Sequence, residues 1–126
     1  ICDVAAVSSK LDTIAEWYKN DVPNNAGEDG TENIINVIKK SNFNLNDNGK
    51  ILFTVISLSN HNKILDKINS HFKKVDLVKK QPWPFPKEFY SHLKLLKKLK
   101  EKKLIDYTEL LENVFYFDTY IYLAYR

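Results

Sequence analysis

Few side chains in this 126-residue chain can do nucleophilic or metal chemistry: three histidines, His61, His71 and His92, and one cysteine, Cys2. Nine and 20 residues separate successive histidines, with no cysteine beside any of them, which is not the ligand spacing of a zinc site. A single cysteine also excludes a disulfide framework. His61 stands apart because it follows an apolar run directly and lies between Asn60 and Asn62. It is either a group at a strand end where ligands gather or an exposed loop histidine. Asp12 and Glu16 are four residues apart and share one side of a helix, a spacing that suits a carboxylate pair in acid–base work or simply two solvated charges. Gly27-Glu28-Asp29-Gly30 brings two carboxylates together, too few for a calcium loop, and reads as a turn that starts a helix. The three glycines, Gly27, Gly30 and Gly49, fit neither a G-x-G-x-x-G nor a G-x-x-x-x-G-K loop. No metal site is expected.

Asp3, Ser8 and Ser9 fall at or near the carboxyl end of a first apolar run, the place where open α/β sheets bind ligands; a strand end with a helix cap is the alternative. Trp83-Pro84-Phe85-Pro86 is stiff and aromatic, so Trp83 and Phe85 either line a substrate pocket or stack a base, or plug the core at a crossover. From Lys79 to Lys103 there are nine lysines against Glu88 and Glu101, whereas residues 1–33 carry seven acids against two lysines. Lys94, Lys97, Lys98 and Lys102 would stand on one helix and could contact a phosphate backbone or an acidic protein. Lysine without arginine suits point-charge contacts rather than bidentate base readout. A solvated helix face is the simpler reading.

These residues need elements to position them. Residues 2–7, a continuous small or β-branched run, predict a strand buried on both faces, as in a parallel sheet. Helical spacing of Leu11, Ile14, Ala15 and Tyr18 predicts a short helix over 10–19, followed by a polar loop from Asp21 to Gly30. Thr31 caps a helix carrying Ile34, Ile35, Val37, Ile38 and Phe43 on its apolar side. Asn48-Gly49 then supplies a turn with a residue free to take positive φ. Strands are predicted over residues 50–57, around Val75 to Val78, and over residues 114–125, the last rich in aromatic and β-branched residues. Helices are predicted over 62–72 and over 87–103, the latter with Phe89, Tyr90, Leu93, Leu96 and Leu99 inward. Three alternate prolines, Pro82, Pro84 and Pro86, force an extended segment between. The order of elements is that of an α/β domain. Hydrophobic residues make up 44% and charged residues 28%, with a formal net charge of +3, as in one soluble domain. No apolar run approaches the roughly 18 residues of a membrane span. The first residue is Ile and methionine does not occur, which raises the expectation that more chain precedes it.

Several of these pieces stand in a familiar order. Val22-Pro23, then Ala26-Gly27-Glu28-Asp29-Gly30-Thr31, a helix, and Asn46-Asp47-Asn48-Gly49-Lys50-Ile51-Leu52-Phe53 resemble the second half of class I, Rossmann-like S-adenosylmethionine-dependent methyltransferases. The likeness is to the small methyltransferases and the release-factor glutamine methyltransferases. It implies an α/β fold with a four-stranded, mostly parallel sheet, an antiparallel last strand inserted between the two strands before it, and flanking helices. It implies residues 1–126 as the C-terminal part of a larger, cytoplasmic catalytic domain, with S-adenosylmethionine as cofactor and its main, glycine-rich site outside this chain. It also implies a free edge along the first strand, where a missing N-terminal half or a pairing subunit would add. Where those relatives carry N/D-P-P-Y this chain reads Ser8-Ser9-Lys10-Leu11, so the resemblance names no acceptor.

Overall fold

The structure is a computed structural model that describes residues 1–15 and 25–126. Among the described residues four strands form one sheet: β1 (Lys50–Ile56), β2 (Lys74–Pro84), β3 (Thr108–Leu111) and β4 (Val114–Tyr125). Three helices among these residues accompany them: α1 (Glu32–Asn44), α2 (His61–His71) and α3 (Leu93–Glu101), the last preceded by a 3₁₀ turn over Lys87–His92. β4 is central. It pairs antiparallel with β1 on one side, Phe53 opposite Tyr122, and with β2 on the other, Leu77 opposite Tyr122. β3 pairs antiparallel with the start of β4 through a two-residue turn in which Asn113 takes φ 60°, a conformation asparagine tolerates.

The expected mostly parallel sheet of a partial Rossmann-like fold is therefore corrected. The sheet is four-stranded and every strand pairing in it is antiparallel. A continuous apolar run reports burial of both faces and is silent on direction. β1 and β2 do point the same way, as a crossover through α2 allows, but β4 lies between them and leaves no parallel strand pairing.

Nor do residues 2–7 form a strand. Cys2 makes an isolated parallel bridge to Phe53, and Val7 another to Asn25. Cys2, Ala6 and Val7 are buried, so the run is apolar because it packs. A pairing subunit has no strand edge there to extend. The fourth strand is instead the fully exposed β3, which has no apolar alternation to announce it.

Two clusters make the core, one on each face of the sheet. Ile34, Ile38, Ile64 and Ile68 of α1 and α2 pack on Ile51, Phe53 and Val55 of β1 and on Tyr122 and Ala124 of β4. Phe115 and Phe117, of opposite parity on β4, pack with Phe85, Phe89, Leu96, Leu99 and Ile105, and with Val7 and Leu11. The proline segment extends β2 along the sheet edge, the one place where prolines do not break a ladder. Three local expectations change. Gly49 is not among the positive-φ residues; it closes a turn by donating to the Asn46 carbonyl at 2.7 Å. Phe43 and Tyr90 are exposed rather than inward. The expected helix over 10–19 is a 3₁₀ turn at Ser9–Leu11 in its described part, and its remainder lies outside the described residues. Among the described residues no helix is long and apolar enough to cross a membrane.

Candidate functional site

The carboxyl end of β1 is where separate parts of the chain converge. Ser8 donates its backbone N–H to the Leu58 carbonyl and its hydroxyl to the Glu28 carbonyl. Gly30 sits so close to this junction that a Cβ would meet Ser59 at 2.7 Å and the Ser8 nitrogen at 2.8 Å, with φ at +72°. Asp29 ties the loop to α2: its carboxylate accepts from Thr31 Oγ1 at 2.6 Å and from Lys63 Nζ at 2.7 Å, and its carbonyl accepts from the Asn60 N–H. Burial works to raise the Asp29 pKa, but the hydrogen bonds from Lys63 and Thr31 and the charge of Lys63 outweigh it and hold it below the ordinary carboxylate value. The Gly27–Thr31 stretch is thus a structural clamp.

Beside the clamp opens a cleft of about 830 Å³, whose floor and walls include Ser57, His61, Lys67, Lys103, Asp106 and Tyr120. Ser57 organises its base. Its N–H donates to the Asp118 carbonyl, its Oγ accepts from the Asp118 N–H, and its carbonyl accepts from the Asp106 N–H at 2.6 Å. His61, on the first turn of α2, is hydrogen-bonded through Nε2 to the Tyr122 hydroxyl at 2.7 Å, and its ring stacks on Tyr120 at 4.1 Å between centroids. Burial lowers the His61 pKa and favours the neutral imidazole. Burial, helped by Tyr120, pushes the Tyr122 phenol up to about 12. Asp118, Tyr120 and Tyr122 alternate along one face of β4, and Lys80 from β2 closes the row, 3.3 Å from Asp118 Oδ2. The site sets an imidazole, stacked on one phenol and hydrogen-bonded to another, among ammonium groups.

Of the residues singled out in the sequence, His61 alone lines this cleft. Ser8 is buried behind Gly30, and Ser9 begins the 3₁₀ turn. Asp3 is exposed beside the Cys2 bridge. Trp83 is half-exposed on β2, its indole N–H donating to Thr119 Oγ1 at 3.1 Å. Phe85 is buried, stacked with Phe115 and edge-on to Phe89 and Tyr107, so it plugs the core. Lys94, Lys97, Lys98 and Lys102 are exposed on α3 and its cap, and none is ion-paired among the described residues. Asp12 Oδ1 is buried without a hydrogen-bond partner among the described residues, and burial raises its pKa; Glu16, its expected mate, lies outside them, as do Val22 and Pro23. Sequence reasoning missed Tyr120, Asp106, Lys63 and Lys67, and counted Lys100 and Lys103 in the lysine run without choosing them as site residues. The signal for Tyr120 was present: polar residues at 118, 120 and 122 put a polar stripe on one face of an otherwise apolar strand.

The methyl donor implied by the resemblance does not fit the described residues. A donor site needs glycines that let backbone approach the ligand, and here Gly27 faces the Glu32 side chain, Gly30 faces Ser8 and Ser59, and Gly49 faces Leu45. Among the described residues no three histidine, cysteine, aspartate or glutamate side chains gather as a metal cluster would require. In comparison with known proteins, no protein-family model, no curated protein and no solved structure matches this chain.

Proposed function

We propose that this chain is the acceptor-binding part of an S-adenosylmethionine-dependent methyltransferase whose donor site lies on residues outside it. The observation that carries this reading is the cleft at the carboxyl end of β1, built from a neutral His61 held by Tyr120 and Tyr122, where the Gly27–Thr31 stretch of the resemblance docks. Such a cleft orients an acceptor, excludes water from one side of it and can take its proton. A second observation supports residues elsewhere completing the domain. Leu52, Ile121 and Leu123, on the face of the sheet opposite α1 and α2, are half-buried and belong to neither core cluster.

The test is isothermal titration of the 126 residues with S-adenosylhomocysteine, together with the reading frame upstream. Weak or undetectable binding and an upstream glycine-rich loop are expected. Tight binding by this chain alone defeats the reading.

A second reading, a non-catalytic module that binds RNA or an acidic protein, is favoured by the exposed lysines Lys94, Lys97 and Lys98 of α3 and Lys102 of its cap, none ion-paired among the described residues. It requires salt-dependent binding. Unchanged RNA affinity after Lys94, Lys97, Lys98 and Lys102 are all replaced by glutamine removes it.

A further inference from the structure

Lysines wall the cleft from two sides. Lys63 and Lys67, four residues apart on α2, stand on one side, and Lys100 and Lys103, at the end of α3, on the other. Two are already fixed: Lys63 by Asp29 at 2.7 Å, and Lys100 by Asp106 at 3.2 Å and by the Tyr107 carbonyl. Lys67 and Lys103 have no acidic partner among the described residues. Among the described residues Asp66 is the one further carboxylate on the wall, so there the lysines outnumber the acids that face or hold them.

Lys103 is singled out again by its backbone. α3 ends with the Leu104 N–H donating to the Leu99 carbonyl and the Lys103 N–H to the Lys100 carbonyl. This is the Schellman arrangement, whose left-handed position is usually glycine because a side chain there is strained. Here it is lysine at φ 59°. A side chain kept at a position where glycine is easier, and lining a cleft, points to a use for that side chain.

We infer that the cleft is a phosphate-binding site in which Lys67 and Lys103 hold a phosphate group, flanked by the fixed charges of Lys63 and Lys100. Two uncommitted ammonium groups match a doubly charged anion, and flexible lysines bind it as point charges, without the planar fork that arginine brings to a carboxylate. His61 and Tyr120 give the rest of the ligand an uncharged aromatic floor. The inference rests on the acceptor reading above, since it names the chemical class of the molecule that the cleft takes. Phosphate binding needs no methyl donor, so the two fail separately.

The experiment is calorimetric titration of the full chain with inorganic pyrophosphate at low salt, with thermal unfolding of every variant. Saturable one-site binding is expected, weakened about five-fold or more in both Lys67→Gln and Lys103→Gly, and unaltered in a Lys39→Gln/Lys40→Gln control on the exposed side of α1. Lys103→Gly is expected to unfold at the same temperature or higher, which separates lost binding from lost structure. Competition with a short single-stranded oligodeoxythymidylate identifies the source of the phosphate: displacement assigns a phosphodiester chain, retention a small phosphate ester, and both support the site. Absence of saturable pyrophosphate binding overturns the inference. So does wild-type affinity in Lys103→Gly, or an equal loss in the α1 control.

Discussion

His61 is the residue where position and protonation meet. Burial is the largest cause lowering its pKa; hydrogen bonding to Asn62 and the charges of Asp106 and Asp118 oppose it, and Lys80 adds to it. The folded pKa is therefore below the unfolded value of about 6.5. As pH falls the unfolded chain takes the proton first, so stability declines from about pH 6.5 down through the folded pKa. His61→Phe keeps a ring against Tyr120 and removes the titration. The slope of stability against pH between about 6.5 and 5 is expected to flatten, as measured by urea unfolding at a series of pH values; an unaltered slope would show that His61 is not responsible. Asp29 works in the opposite charge sense. Its lowered pKa means that its contribution is present above the unfolded carboxylate value and lost as pH falls through the folded one. Asp29→Ala frees Thr31 and Lys63 and is expected to cost about 2 kcal/mol in urea unfolding at neutral pH. The importance of Asp29 was legible only as a turn residue, because its partner Lys63 is 34 positions away.

At the scale of elements, the loop between residues 25 and 31 decides whether the cleft is assembled. Gly27 and Gly30 both take positive φ, but their surroundings differ. A Cβ at Gly27 meets only the Glu32 side chain, which can swing away, whereas one at Gly30 meets backbone of Val7 and Ser8 as well as Ser59. Gly27→Ala is expected to cost about 1 kcal/mol and Gly30→Ala about 3 kcal/mol or more, read from chemical denaturation; equal costs would refute the packing argument. The end of α3 gives the converse case. Lys103→Gly relieves a left-handed lysine and is expected to leave stability unchanged or raise it by up to about 1 kcal/mol. The helices themselves were legible from their periodic apolar residues, Ile64 and Ile68 on α2, Leu96 and Leu99 on α3. β3 was not, because all four of its residues are exposed and only pairing with β4 makes them a strand.

On one face the sheet buries Ile51, Phe53, Val55, Tyr122 and Ala124 beneath α1 and α2, and on the other it is partly covered. Phe53 is completely buried between β4 and the two helices, and Phe53→Ala is expected to cost about 3–5 kcal/mol. Leu123 lies on the opposite face, half-buried and outside both clusters. Leu123→Thr in the isolated chain is expected to cost less than about 1.5 kcal/mol. A cost at Leu123 comparable to that at Phe53, in paired urea titrations, would mean that the face is already complete. It would then need no further part of a larger domain.

By itself the sequence determined where α1, α2 and the body of α3 form, that Val114–Tyr125 is a strand, and that the Ala26–Thr31 stretch is a turn leading into α1, because periodicity, β-branching and turn chemistry act over a few residues. Only the tertiary structure decided that every strand pairing is antiparallel. β4 inserts between β1 and β2 as the resemblance implied, but no local pattern records that residues 2–7 contribute only isolated bridges and that β3 adds to β4. The cleft is of the same kind: His61, Lys67, Lys103 and Tyr120 come from three distant parts of the chain. Their chemistry exists only once α2, the end of α3 and β4 are packed together, because hydrogen bonds and charges act over a few ångströms in space and the chain encodes those distances only through the fold.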